Sequence, residues 1–470
     1  MTQSRIKKNF TEGPLFLRMI AFAIPLMLSG VLQVGYNMAD NIIVGQFSGD
    51  PDALGAVGSA SPLTTLLINA LFGISAGAGI VIAQAYGAKD EERVSRAAHT
   101  TMVFSVIAGI AMMTVGLIFS RPLLIMMGTN DELLDKAVLY MTIICLGAPA
   151  SSVYNYGASI LRATGDSKTS LYILSISGLA NVLFNLVFVL AFGMSVGGVA
   201  LATTISKYIS AVWVVAVLFK RKESCYGLKI KLLRIDRELL SKIVRLGLPI
   251  AFQNVIFNLS GVIVTGAVNT LPKHTISAKT IAFNIEGITN TCMNAFVSVG
   301  TTFTAQNYGA KKYGRMNKVL LYSLLQVSVI GLAMSWIEIG FGRELAMLYI
   351  DAGDLAREAI IKDVLDIFKV MLSVYFLCGV LSTLSGILKG VGYSLISVLA
   401  SLLGVGVRVV WLLFVSPTPR FHNVLGVFIA YPISWLITII ILAISCVYAW
   451  RKLGISKGAR QEKLAELKEN

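Results

Sequence analysis

Apolar runs of roughly 20 residues recur along this chain from near its beginning to near its end, each long enough to cross a hydrocarbon core about 30 Å thick. A segment in such a core has no water to satisfy its backbone, so each run is read as a membrane-spanning helix. Composition agrees: 56% of the 470 residues are hydrophobic, 14% are charged, and the mean hydropathy is +0.75. A soluble globular chain carries about 25% charged residues. The expected fold class is therefore an all-α integral membrane protein. Twelve spans are expected, at 15–42, 53–85, 97–120, 135–161, 169–193 and 197–219, then at 246–271, 276–306, 318–341, 360–388, 394–416 and 423–450. The first run is longer than a signal-peptide core and has no small-residue cleavage site, so it reads as a span rather than a removed leader.

A net charge of +15 in a soluble protein would suggest nucleic acid. Here the basic residues gather in alternate connections, which assigns them to cytoplasmic loops and anionic lipid instead. Lys89, Arg93 and Arg96 follow the second span, and Lys311, Lys312, Arg315 and Lys318 follow the eighth. The connections at 47–52, 130–132 and 194–197 are poor in cations. Both termini are thus expected in the cytoplasm. The long connection 220–245 is strongly basic, and from Ile230 to Val244 its Leu and Ile alternate with Lys and Arg in a helical rhythm. That pattern reads as an interfacial helix on the inner leaflet, with a regulatory lipid site as the alternative. The expected organisation is a lobe at 1–219, this connection, a second lobe at 246–450 and a charged, helical tail at 451–470.

The chain also repeats itself. Ala83-Gln84-Ala85-Tyr86-Gly87-Ala88-Lys89 returns as Ala305-Gln306-Asn307-Tyr308-Gly309-Ala310-Lys311. Pro25 pairs with Pro249, and Gly165 with Gly392, at nearly the same spacing. Collinear matches of this kind indicate a duplication. An even number of spans per copy makes the copies parallel, and transporters place substrate at the interface of such repeats.

Polar residues inside spans are costly and mark function by default. Asp40 lies among Gln33, Tyr36, Asn37 and Asn41 near the end of the first run, and Gln33, Tyr36 and Asn37 are candidate substrate-cavity residues. It reads either as a buried coupling carboxylate or as a helix cap at the outer interface. Asn181 and Asn185 share one helix face, and with Thr203 they are candidates for a proton network or a Na⁺ site at Asp40. Ordinary interhelical hydrogen bonding is the competing reading. The second half has Val264 where the first has Asp40, and Arg408 where the first has Asn181. Lys279, Glu286 and Arg408 are its candidate cavity residues. Glu286 is read either as a titrating or substrate-facing acid or as an ion-pair partner of Lys279 or Arg408. Lys207 has no assigned role, and the Gly73, Ser75, Gly77, Gly79 series reads as close helix packing.

Several function classes are excluded. No phosphate-binding loop supports ATP hydrolysis, and no nucleophile elbow, HExxH or His/carboxylate cluster supports an enzyme. Cys145, Cys225, Cys292, Cys378 and Cys446 are scattered, which excludes a disulfide framework or CxxC motif, and no resident metal or cofactor is expected. Uphill transport would need an ion gradient.

Met38-Ala39-Asp40-Asn41-Ile42-Ile43-Val44-Gly45 with Ala53-Leu54-Gly55-Ala56-Val57-Gly58 resembles the first-span motif of multidrug and toxic compound extrusion (MATE) transporters. So do Ala83–Lys89, Gln306–Ala310, and the stretch from Asn181 to the Gly198–Thr203 ending. The resemblance covers essentially the whole chain. It implies two six-helix lobes forming a V, a central cavity, rocker-like alternating access, and export of organic, often cationic and amphipathic compounds against H⁺ or Na⁺. It also implies that Asp40 is the coupling acid, with Asn181 and Thr203 in its polar network. Asn185 departs from the pattern, because many relatives carry an acid there. The seventh- and tenth-span acids of another branch are missing at Phe257-Asn258-Leu259 and Val374-Tyr375-Phe376. The resulting expectation is a monomeric secondary exporter of small organic molecules in a bacterial cytoplasmic membrane, with lipid as its other partner. The rivals are a flippase for a lipid-linked saccharide and, more distantly, a passive channel or scaffold.

Overall fold

A computed structural model of the chain describes residues 9–350 and 355–456, together with 458, 459 and 461. Most of the tail expected at 451–470 lies outside the described residues. Among them the fold is helical and contains no strand. The helices of the first half are α1 (Leu15–Phe47), α2 (Ala53–Gly87), α3 (Glu91–Met126), α4 (Asp131–Leu146), α5 (Ala148–Ala163), α6 (Ser167–Leu186) and α7 (Val196–Lys220). Those of the second are α8 (Arg237–Val268), α9 (Lys273–Gly309), α10 (Tyr313–Gly340), α11 (Gly342–Met347), α12 (Arg357–Met371), α13 (Phe376–Gly390), α14 (Ser394–Val410), α15 (Val424–Phe428) and α16 (Ala430–Lys452).

Nine segments among the described residues are long and apolar enough to cross a membrane, and eleven if each of two bent pairs is one span. The bent pairs are α4 with α5, at 44°, and α12 with α13, at 45°. They hold the same place in the two halves, where single straight spans were expected. In the first, Pro149 enters at the start of α5, where its missing N–H is tolerated. In the second, a 3₁₀ turn at Leu372–Val374 precedes the bend. The remaining expected span is α9. It has the length, but Lys279, Glu286 and a series of Asn and Thr residues dilute its apolar character.

The duplication is visible in the backbone. Lys89 and Lys311 stand at φ 59° and 58°, in the left-handed region that non-glycine residues rarely enter. Each follows a helix end closed in the same way: Asp90 N–H donates to Ala85 C=O at 3.1 Å, and Lys312 N–H to Asn307 C=O at 2.9 Å. These are six-to-one bonds that satisfy otherwise orphaned carbonyls. Gly165 and Gly392, at φ 91° and 95°, close α5 and α13 by the same bond pattern. A π-helical segment follows α6 at Val187–Ala191 and another follows α14 at Trp411–Val415.

The connection is not the interfacial helix expected from Ile230 to Val244. It is a 3₁₀ turn at Ile230–Leu232 followed by non-helical chain, and α8 begins only at Arg237. Asp236 explains the delayed start: its carboxylate accepts from the N–H groups of Glu238 and Leu239 and pairs with Arg96. That arrangement is a helix N-cap, which requires non-helical backbone at the cap residue.

The chain divides into two compact units, Met1–Phe10 with Leu28–Asn254 and Thr11–Met27 with Val255–Asn470. The division runs through α1 and α8, a few residues beyond Pro25 and Pro249. In the first unit, Gly73 and Gly77 leave no room for a Cβ against the backbones of Ala251 and Gly247, and Gly79 does the same against Ser159. The small-residue series is therefore a packing seam, as its spacing suggested. In the second unit, Phe22 packs on Phe303 at 6.1 Å, and Phe16 meets Tyr322 edge-on at 5.5 Å.

Candidate functional site

Asp40 lies within α1, one to two turns before that helix ends at Phe47, so it is no terminal cap. Its position is set by contact with α6. The Tyr36 ring lies where a Cβ at Gly178 would be, and the Tyr36 hydroxyl donates to the Ser175 carbonyl at 3.1 Å. Glycine at 178 is thus what lets α1 approach. One turn further along α1, Asp40 meets α6 and α7.

The carboxylate is held by neutral donors. Asn185 Nδ2 donates to Asp40 Oδ1, and Thr203 Oγ1 donates to Asp40 Oδ2 at 3.2 Å. Asn181 Nδ2 donates to Thr203 Oγ1 at 3.3 Å, and Asn181 Oδ1 faces Asn185 Nδ2 at 3.5 Å. The four residues expected to form the coupling site therefore form one closed hydrogen-bond network. Asn185 is fully buried, and its Oδ1 has no hydrogen-bond partner. Lys207, on α7, forms no ion pair with Asp40. An apolar bed that includes Ile43, Val44, Met141, Val189 and Val196 lies beneath, with Tyr140, Val182 and Leu186 packed on it.

The chemistry follows from this donor set. A carboxylate bound by two neutral donors, with no cation locked to it, can take a proton or a small cation without first breaking a salt bridge. The unpartnered Asn185 Oδ1 adds an oxygen next to Asp40, which suits a hard cation. No group of three or more His, Cys, Asp or Glu side chains forms a metal site among the described residues. Of the other candidates in this half, Tyr36 helps position the site, whereas Gln33 and Asn37 are exposed and stand outside the network.

The second half corrects one expectation. Glu286 does not pair with Lys279 or Arg408. Lys279 donates to Thr265 Oγ1, and Arg408 donates to Ser434 Oγ at 3.0 and 3.3 Å. The sequence reading also passed over Glu338. It is buried in α10, where Oε1 accepts from Thr289 at 2.7 Å and Oε2 has no partner. It sits three residues before the expected end of its span, where an acid resembles an interfacial residue. Only the packing of α10 on α9 reveals it as interior.

Comparison with known proteins bears on the whole chain. The MatE family pattern matches residues 25–187 and 249–414, one segment in each half. The chain is 29% identical over 449 residues to a Bacillus subtilis (strain 168) protein named probable multidrug resistance protein YoeA, covering 93% of this chain and 95% of that one. It is 23% identical over 385 residues to the multidrug export protein MepA of Staphylococcus aureus (strain NCTC 8325 / PS 47), covering 82% and 83%. Among solved structures it superposes on an outward-facing multidrug resistance MATE transporter of the MOP superfamily with a TM-score of 0.86. That match has 21% identity and covers 98% of this chain and all of the other.

Proposed function

Because the chain belongs to the MatE family, we propose that it is a secondary active exporter that moves small organic compounds out of the cell against an inward flow of H⁺ or Na⁺. The observation that carries this reading is the Asp40 network. One intramembrane carboxylate is bound by Asn185 and Thr203 and is free of any salt bridge. An ion arriving at Asp40 competes with those two donors. Occupancy therefore changes the hydrogen bonds joining α1 to α6 and α7. A ligand that binds one arrangement of these helices better than another shifts the balance between them.

The proposed cycle has Asp40 loaded from outside, cargo released outside, and the ion discharged to the cytoplasm before the next cargo binds. The two compact units, divided within α1 and α8 rather than at the expected bounds 1–219 and 246–450, are the parts that alternate. Both termini face the cytoplasm of a bacterial cell, and the exporter acts as a monomer. The names of the Bacillus and Staphylococcus relatives, a resistance protein and an export protein, support outward transport of drug-like molecules. A single carboxylate leaves less negative charge for a metal ion than a pair would, which favours H⁺ as the coupling ion.

Purified protein reconstituted in liposomes, loaded with a fluorescent dye and placed under separate pH and Na⁺ gradients, tests this. Uphill dye movement under one gradient, and none without it, is the expected result. Dye loss that ignores both gradients would make the protein a passive pore and overturn the reading.

A further inference from the structure

The second unit contains charged and aromatic residues that the Asp40 network does not use. In α9, every exposed residue between 276 and 300 is polar: Ser277, Thr280, Asn284, Asn294 and Ser298. A spanning helix cannot present such a surface to acyl chains, so this side of α9 faces water. Lys279 lies beside that surface, 5.9 Å from the centroid of the Phe283 ring. Phe283 meets Tyr431 edge-on at 5.9 Å, and the Arg408 guanidinium lies 4.0 Å from the centre of the Tyr431 ring. The result is a continuous run of cation, ring, ring and cation.

Neither cation has a carboxylate within ion-pair distance among the described residues. Arg408 uses two of its nitrogens on a single acceptor, Ser434 Oγ, while Lys279 donates to Thr265 Oγ1. Glu286, on the same helix as Lys279, forms no ion pair with either cation. Cations inside a membrane span are expensive and face a partner or a water-filled space. Stacking fixes the guanidinium plane and leaves its remaining N–H edge for a planar oxyanion, which it matches in geometry.

We propose that Lys279 and Arg408, at the two ends of this run, form with Phe283 a binding site for amphipathic organic anions, in which an aromatic body packs beside the half-buried Phe283 ring, the buried Tyr431 holds Arg408 in place, and a carboxylate, sulfonate or phenolate meets the cation at either end. This deepens the exporter reading by naming a cargo class opposite in charge to that implied by the resemblance. It is tested by equilibrium binding, so a failure of ion coupling and a failure of this site give different results.

The test uses full-length protein in phosphatidylcholine nanodiscs, with fluorescein as an anionic probe and rhodamine 123 as a cationic probe on a similar ring system, each read by fluorescence polarisation. The wild type binds fluorescein more tightly than rhodamine 123. Arg408→Gln and Lys279→Gln each weaken fluorescein binding roughly tenfold, the loss of a charged hydrogen-bond partner, and do not weaken rhodamine binding. Arg408→Lys keeps the charge but loses the planar fork, so it falls between wild type and Arg408→Gln. Should a variant fail to fold, the preference of the wild type between the two probes still decides. Preference for rhodamine, or fluorescein binding unchanged within twofold in both Gln variants, would overturn the proposal. Displacement of fluorescein by phosphatidylglycerol placed in the nanodisc would make the occupant a lipid headgroup and overturn it as a cargo site.

Discussion

The two halves close their matching helices alike and then fill matching positions with opposite chemistry. Lys89 and Lys311 share one left-handed turn, and Gly165 and Gly392 share another. Yet Asp40 corresponds to Val264, and Asn181 to Arg408. The second helix of each half shows the same contrast. The exposed residues of α2 between 54 and 72 are Leu54, Gly55, Gly58, Pro62, Thr65 and Phe72, a mostly apolar set, whereas those of α9 between 276 and 300 are all polar. Turn geometry depends on backbone sterics and survives duplication. Interior charge is not fixed by those turns, and it diverges. One half therefore holds an acid bound by amides and a hydroxyl, and the other holds cations on rings in addition to the acids Glu286 and Glu338.

The tightest contact in the first half joins α1 to α6. Gly178→Val places side-chain atoms inside the Tyr36 ring and separates α1 from α6. Overpacking of this kind costs about 1–3 kcal/mol, and thermal unfolding of the purified protein should show it. An unchanged melting curve would mean that the α1–α6 contact is not tight. Asn185→Leu removes a donor from Asp40 and leaves that oxygen unsatisfied. It should destabilise the protein by about 1–3 kcal/mol, whereas Gln33→Leu, on the exposed side of α1, should be nearly silent. Equal effects at the two positions would contradict the network.

Asp236 sharpens the picture outside the spans. The N–H groups of Leu239 and Glu238, with Arg96, hold its carboxyl below the usual carboxylate range, the Leu239 bond contributing most. A depressed folded-state value means that its contribution is present above the ordinary carboxylate pKa of about 4 and is lost as pH falls through the folded value. Melting followed from pH 7 down to pH 3 should show Asp236→Ala less stable at neutral pH by about 0.5–2 kcal/mol, with the gap closing in acid. A gap that widens in acid would reverse the sign and refute the assignment. The smallest effect is the most symmetric. Lys89→Gly and Lys311→Gly relieve the same left-handed strain, so each should leave stability unchanged or raise it by up to about 1 kcal/mol, in equal measure. Unequal responses would show that the two turns are alike only in outline.

Much of the frame was legible because it rests on local rules. The echoed heptapeptide marked two helix ends, and the spacing of Gly73, Gly77 and Gly79 marked a packing seam. Asn181, Asn185 and Thr203 could be grouped with Asp40 because four-residue spacing places two of them on one face. What escaped depends on partners distant in sequence. The bends after Leu146 and Val374 leave hydropathy unbroken. Glu338 resembled a surface acid until α9 packed Thr289 onto it. Charge alone suggested that Glu286 would neutralise a nearby cation. Arg408 instead stacks on Tyr431 because α16 brings that ring beneath it, and no pattern within α14 announces this.

In the proposed cycle, ion coupling resides in the Asp40 network of the first half alone. Proteoliposomes containing Asp40→Asn test it most directly when gradient-driven dye accumulation and gradient-free dye exchange are measured on the same preparation. Accumulation is expected to be abolished while exchange across the bilayer persists. Accumulation by Asp40→Asn at the wild-type rate would contradict it.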